Sequence, residues 1–385
     1  MRGLDAARRL RAVEASVWPE ELTGALDDPS PEVVRAAIRR LVDLKGDGAM
    51  AALRARALDT DLALVADFVK ALERIGDSSV GTIAINALDD RRLSRRLAAI
   101  RAIAALPDDG RAVEALRGVL DDDVAGVRAA ALDALAHVGG NVSVGTANDC
   151  ARLLSDPVPL VRVAAVRALI RLVAHPGPML APAACDQDRT VRLAVAQRAA
   201  SLPERAARAL LEDPELRVRE AAARAAGMRE AGALAVLLVD DPARDVRRAV
   251  AHALGEMRDE RVADLLVPGL EDRDALVRAA VLHELEHLLT RQGIVRRLCN
   301  ELGGERAERR RASVYALAHL DAREASHEIA SVASDPDPEV RLALVQSVDA
   351  LFDEPAPVVD YLANDSDEAV RHATEMWRLR PRAKP

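Results

Sequence analysis

The run His283-Glu284-Leu285-Glu286-His287 is the stretch of this chain whose residue types and spacing come nearest to chemistry. On an α-helix, HExxH sets two imidazoles on one face, where they can hold zinc, with a glutamate beside them as general base. No third ligand stands at the spacing such enzymes use. His319 is the best candidate, but it belongs to a neighbouring helix, and axes roughly 8–10 Å apart put a bridging pair near the limit of reach. His283 shares its place in an internal repeat with His252 and Tyr315, and His287 shares its place with His137 and His319. Both positions are polar-tolerant, so solvated helix residues explain the motif better than a metal centre does. Glu284 stands where most repeats carry Ala or Leu, although Arg198 breaks the same column. No cofactor is implied.

A second constellation follows. Arg291, Arg296, Arg297, Arg306, Arg309, Arg310 and Arg311 face only Glu301, Glu305 and Glu308 over residues 291–311, a local excess of +4 around Gly303-Gly304. Intrahelical Glu–Arg pairing on a solvated face accounts for such a run. The functional alternative is an anion or phosphate patch built on Arg291, Arg296, Arg297, Arg309 and Arg311, with glycines leaving backbone N–H groups free at a helix start. Trp18, Phe68, Tyr315, Phe352, Tyr361 and Trp377 are scattered along the chain, so stacking platforms for exposed bases are scarce. The chain contains no GxGxxG, Walker loop or GxSxG.

The elements that carry these residues are set by recurrence. Asp121 to Leu135, DDDVAGVRAAALDAL, returns in variants along the chain. Within it Val127, Ala130, Ala131, Ala134 and Leu135 make one face of an α-helix. The preceding aspartates supply N-caps and Gly139-Gly140 stops the helix, after which a second amphipathic segment runs to Leu154. The Arg128 column reads Arg35, Ala66, Arg96, Arg128, Arg162, Arg192, Arg219, Arg247, Arg278, Arg310, Arg341 and Arg371. Its eleven steps average about 30.5 residues, a helix pair with short turns. A degenerate unit from Asp5 to Leu26 precedes the first column and a half unit follows the last, with Trp18 and Trp377 placed to shield the ends. At 2% aromatic the core must be Ala, Leu and Val, which lets helices approach closely.

Arginine in the first turn of a helix opposes the helix dipole, so it needs a partner. Asp or Glu six or seven residues earlier, as in Asp28, Asp59, Asp89, Asp121, Asp156, Asp213, Asp241, Asp272 and Asp335, suggests one. Arg35, Arg128, Arg162, Arg192, Arg219, Arg247, Arg278 and Arg341 are therefore expected to form a structural ladder along one edge, each pair contributing about 0.5–1 kcal/mol where partly exposed. Departures from the repeat say more about function. The steps stretch to 34 residues between Arg128 and Arg162 and contract to 27 and 28 after Arg192. Pro176, Pro178 and Pro182 crowd the second helix of repeat five, which should be short or broken. This predicts an irregular break at 174–188, with a change of curvature, between stretches 1–173 and 189–385 of a single array. The basic tail 380–385 should fray.

The pattern of acidic turn, V-R-x-A-A-x-x-A-L, Gly and a second helix resembles the short HEAT repeat of the phycobilin-lyase type over nearly the whole chain. Tetratricopeptide units would need more aromatics and ankyrin units would show TPLH-like turns. The resemblance implies an all-α fold, an α-solenoid of about twelve antiparallel helix pairs of armadillo/HEAT type, while the family spans scaffolds, chromophore lyases and a few enzymes. HEAT-like deoxyhypusine hydroxylases carry four His-Glu pairs after the repeat arginine and bind two irons. Here that place holds Ala279-Ala280 and His372-Ala373, and His327-Glu328 lies in a second helix, so the activity is not implied. HEAT-like DNA glycosylases line a basic groove with aromatics, which this chain lacks.

The reading is a non-enzymatic scaffold or adaptor that binds a protein partner, with second helices lining a concave surface. Arg54, Arg117, Arg208, Arg261, Arg297 and Arg323 are candidate contacts on those helices. The alternatives are a lyase-like or metal-dependent enzyme using repeats eight to ten, or a phosphate-backbone binder using the 291–311 arginines. A net charge of −8 over 385 residues implies neither nucleic acid nor membrane. Cys150, Cys185 and Cys299 are odd in number and far apart, and neither a signal peptide nor a membrane-length apolar run is present. Those features lead to an expected cytoplasmic location.

Overall fold

The computed structural model describes residues 9, 11–14, 19–44, 46–77, 79–106, 110–138 and 143–380. Trp18, the helix stop at Gly139-Gly140 and the tail beyond Arg380 lie outside the described residues. Every regular element among the described residues is a helix, in two compact regions, Met1–Val195 and Ala196–Pro385. Each region is a solenoid-type stack of antiparallel helix pairs.

The first region pairs Pro31–Leu44 with Asp47–Arg56, Val65–Arg74 with Ser79–Asn86, Leu93–Ala105 with Gly110–Gly118, and Ala125–Val138 with Val144–Arg152. Pro159–Leu172 then meets a helix of only four residues, Gly177–Leu180, which tightens into a 3-10 segment at Ala181–Cys185. Pro178 and Pro182 each lie in the first two positions of their segment, where a missing N–H is tolerated. In the second region Leu216–Arg224 pairs with Ala231–Asp240, Arg244–Glu256 with Ala263–Leu266, and Ala275–Leu288 with Arg291–Glu301. Ala307–His319 pairs with Ser326–Ala330, Pro338–Leu351 with Ala356–Leu362, and Glu368–Leu379 closes the series.

The helix face anticipated in repeat four is buried at Val127, Ala131, Ala134 and Leu135; Leu132 joins it and Ala130 is only half-buried. Alanines at Ala131, Ala164, Ala165 and Ala168 are fully enclosed, which lets neighbouring first helices pack closely. Most second helices end in a 3-10 turn, such as Val119–Asp121, Leu153–Ser155 or Val267–Glu271, and an aspartate follows or closes that turn. At the far end Trp377 donates its indole N–H to Asp349 at 2.8 Å.

In the first region, first helices of successive repeats pack side by side from Pro31–Leu44 to Pro159–Leu172. In the second region Arg244–Glu256 lies against Ala275–Leu288, and Ala307–His319 lies against Pro338–Leu351. Between Ala275–Leu288 and Ala307–His319 that packing lapses, and Ala307–His319 rests instead on the 3-10 segment Val267–Glu271. The lapse falls between repeats nine and ten. No helix among the described residues is long and apolar enough to cross a membrane.

Candidate functional site

The arginine column builds the site, and its normal rung is best seen at Arg128. Nη1 donates to the carbonyl of Asp122 in its own turn at 2.7 Å, while Nε and Nη2 grip the carboxylate of Asp156 in the next repeat at 2.8 and 2.9 Å. Asp156 also accepts the N–H of Val158 at 2.8 Å, so one carboxylate both shapes its turn and binds the preceding repeat. A rung of this kind joins one repeat to the next. The aspartate six residues before an arginine gives that arginine a carbonyl and gives the arginine of the previous repeat its carboxylate.

The same fork recurs in Arg162–Asp186, Arg219–Asp241, Arg247–Asp272, Arg310–Asp335 and Arg341–Asp365. Arg192 donates to the carbonyl of Asp186 at 2.9 Å. Arg96 reaches Asp122 at 3.0 Å, and Arg35 reaches Asp67 within a helix at 3.0 Å. The register is six residues rather than seven. Asp122, not Asp121, carries the rung, and Asp121 pairs at the surface with Arg152. Asp59, facing Ala66 in the column, is taken up by Arg92 and Arg95.

Electrostatics follow from that geometry. Burial pushes the Asp156 and Asp335 carboxyls up, but the paired guanidinium and the turn N–H outweigh it and hold both below the usual carboxylate range. At Asp365 the Arg341 hydrogen bond is the largest cause, and the direction is again down. The Asp272 hydrogen bond raises the pKa of Arg247, whose side chain is 2% exposed.

Repeat nine breaks the rule. Arg278 keeps the bond to its own turn, Nη1 to the Asp272 carbonyl at 2.7 Å, but among the described residues no carboxylate meets it. The position that should supply one, six residues before Arg310, is Gly304, which offers Arg310 only its carbonyl at 2.9 Å. Arg371, in the last described helix, also contacts only carbonyls. At Arg278 a groove of about 520 Å³ opens between the first helices of repeats nine and ten. Ala275, Ala279 and Leu282 form one wall, and Ala312, Ala316 and Tyr315 the other. Arg311 and His319 border it, as do Glu271, Asp272, Glu308 and Glu339. Burial raises the pKa of Tyr315, whose hydroxyl donates to Gln346 at 2.6 Å.

The HExxH residues are arranged differently from a zinc site. The rings of His283 and His287 stand 4.2 Å apart at 55°, and His287 Nδ1 is 2.8 Å from the carbonyl of His283. Glu284 turns to the preceding repeat, where Oε1 lies 2.7 Å from His252 Nδ1 and the side chain covers Gly255. His319 lines the groove beyond. No group of three or more His, Cys, Asp or Glu among the described residues is arranged to hold a metal ion.

The 291–311 arginines meet acids mostly from outside that window, with Arg309 also 3.7 Å from Glu301. Arg291 pairs with Glu324 at 3.0 Å, and Arg297 pairs with Asp264 at 2.8 Å. Arg306 and Arg309 share Glu271 at 2.9 Å each, and Arg311 lies 3.5 Å from Glu339. Arg296 is exposed on the second helix of repeat nine. The second-helix arginines are likewise engaged: Arg54 by Asp77, Arg117 by Asp149 and Glu114, Arg208 by Glu212, Arg261 by Asp259 and Arg323 by Asp353. The three cysteines are unpaired.

Sequence reasoning missed the groove and the seat of Glu284. Both left signals: the loss of aspartate at Gly304 strands the preceding arginine, and Gly255 in repeat eight makes room for the oversized Glu284 in repeat nine.

Helix pairs joined by such rungs define a helical-repeat protein. Residues 205–286 and 148–175 match models of HEAT repeats; the matches do not distinguish the phycobilin-lyase type. Among solved structures, an engineered protein aligns at 18% identity over 93% of this chain and 97% of its own, with a TM-score of 0.31. Kap121p bound to Nup53p aligns at 10% over 92% of this chain and 48% of its own, with a TM-score of 0.48. A leucine-rich repeat variant aligns at 25% over 72% and 84%, with a TM-score of 0.41. No curated protein matches the chain.

Proposed function

We propose that this chain is a non-enzymatic scaffold whose HEAT-repeat surface binds a protein partner, and that the groove between repeats nine and ten is the contact. The observation that carries this reading is the lapse of first-helix packing at that one seam of the second region, where a concavity of about 520 Å³ replaces a closed interface. Clefts of this size accommodate a few side chains of a peptide segment. The walls offer alanine and leucine, the rim offers charge, and that combination suits a protein surface.

The test fills the groove. Ala279→Trp places an indole in it, while Glu260→Trp adds the same group at an exposed site elsewhere. A partner recovered with the unaltered protein and with Glu260→Trp, but lost with Ala279→Trp, supports the reading. Equal recovery by all three would place the contact elsewhere.

A further inference from the structure

We propose that Arg278 is a receptor for a carboxylate supplied from outside: an aspartate or glutamate side chain of a partner's peptide segment takes the place of the missing ladder aspartate. This rests on the groove being the partner site, and it names the chemistry of what enters.

In Arg128, Arg162, Arg219, Arg247, Arg310 and Arg341, Nη1 is held by the carbonyl six residues earlier, at 2.6–2.9 Å. That bond fixes the plane of the guanidinium, and the remaining Nε and Nη2 edge receives both oxygens of the next repeat's aspartate. Arg278 makes the same anchoring bond at 2.7 Å. Its fork is therefore set for a carboxylate in the way its neighbours' forks are, and most of the ordering that binding would otherwise require is already done. No aspartate follows because Gly304 occupies the column, and the first helix of repeat ten stands away from that of repeat nine.

The rest of the groove narrows the choice of ligand. Ala275, Ala279 and Ala312 present a shallow apolar surface beside Arg278, suited to the small apolar neighbours of an acidic residue in an extended segment. Glu271 is already bound by Arg306 and Arg309, and Asp272 by Arg247, so neither acid competes for Arg278 through its side chain. Yet Glu271, Asp272, Glu308 and Glu339 line the cleft together. A nucleic-acid backbone, with a charge at every phosphate, would meet that acidic rim repeatedly. A single carboxylate restores one rung and adds one charge, so a peptide segment with one acidic residue is the occupant this arrangement favours.

The test presents heptapeptides on a support, with the central residue fixed as Asp, Glu, Asn, Gln, phosphoserine or Lys and the flanks randomised, to the full chain. A single-stranded 12-nucleotide DNA is a separate arm. The expected result is retention on the Asp and Glu sets at least tenfold above the Asn and Gln sets, with that preference lost in Arg278→Gln. The substituted residue is exposed, and helical content measured by circular dichroism checks that the variant remains folded. Ala279→Trp separates this proposal from the one beneath it. If that variant abolishes retention and Arg278→Gln leaves the acid preference intact, the groove is the site and the carboxylate assignment is wrong. Absence of an acid-over-amide preference, absence of retention altogether, or a preference for phosphoserine or the oligonucleotide also overturns it.

Discussion

Replacing Arg247 by methionine keeps most of the aliphatic stem but removes a guanidinium that is 2% exposed and forked onto Asp272 at 2.5 and 2.8 Å. It also withdraws the donor from the carbonyls of Asp241 and Pro242. Asp272 would keep only the turn N–H of Asp274, leaving a carboxylate whose side chain is 4% exposed without its counter-charge. Breaking one side of a buried pair costs about 3–5 kcal/mol. Arg278→Met, at the same column one repeat later, removes an exposed side chain whose hydrogen bond goes to a carbonyl, and should cost about 0.5–1 kcal/mol. Urea unfolding of the two variants against the parent gives the comparison. Because repeat arrays do not always unfold as one unit, hydrogen exchange over residues 244–256 and 275–288 accompanies it. Arg247→Met should lower the midpoint sharply and loosen 244–256, with Arg278→Met close to the parent. Equal losses in the two variants would refute the claim that the ladder is interrupted at Arg278.

Three further outcomes follow from the same geometry. Ser313 is fully buried in a column that is otherwise Ala, Val, Leu or Ile apart from Thr374, and its hydroxyl has no hydrogen-bond partner, so Ser313→Ala should stabilise the protein by about 1 kcal/mol in thermal or urea unfolding. Gly255→Ala would put a Cβ 1.9 Å from a Glu284 carboxylate oxygen, so it should expel that side chain, break its bond to His252 and change the His252 imidazole signals in NMR. Four ladder carboxylates, Asp156, Asp186, Asp335 and Asp365, are depressed in the folded state, and the Arg54 hydrogen bond, with help from Ser79, takes Asp77 down to about 2. Their contribution is therefore complete above the unfolded value of about 4 and is lost as pH falls toward 2; melting temperature recorded from pH 7 to pH 2 should drop most steeply over that last interval.

The helix pairs were legible because alanine and valine recur at helical spacing and aspartates mark the turns, signals confined to about thirty residues. The rungs were only partly legible. Sequence shows Asp121 and Asp122 side by side ahead of Arg128, and nothing within one repeat says which is used. The turn decides, since only the residue whose carboxylate also caps the N–H two positions on is aimed at the preceding arginine. That Asp156 rather than Asp122 supplies the carboxylate to Arg128 is a relation between repeats, invisible to a pattern read within each. The local charge at 291–311 is incomplete for the same reason: Glu271, Asp264, Glu324 and Glu339, which engage those arginines, lie outside the window. Gly303-Gly304 did point to the tenth repeat, but as a place with free backbone donors. Its larger effect is on repeat nine, which loses a carboxylate there.

The central claim is that a partner enters where the ladder lacks its rung, and a photo-crosslinking residue placed on that seam tests it directly. With p-benzoylphenylalanine at Ala279, irradiation should give a covalent adduct with the partner that is suppressed by Arg278→Gln. The same residue at Val163, the equivalent column at an intact seam, should give none. Adducts of equal yield at both positions, or adducts formed only from the second helices at Arg208 or Arg261, would contradict it.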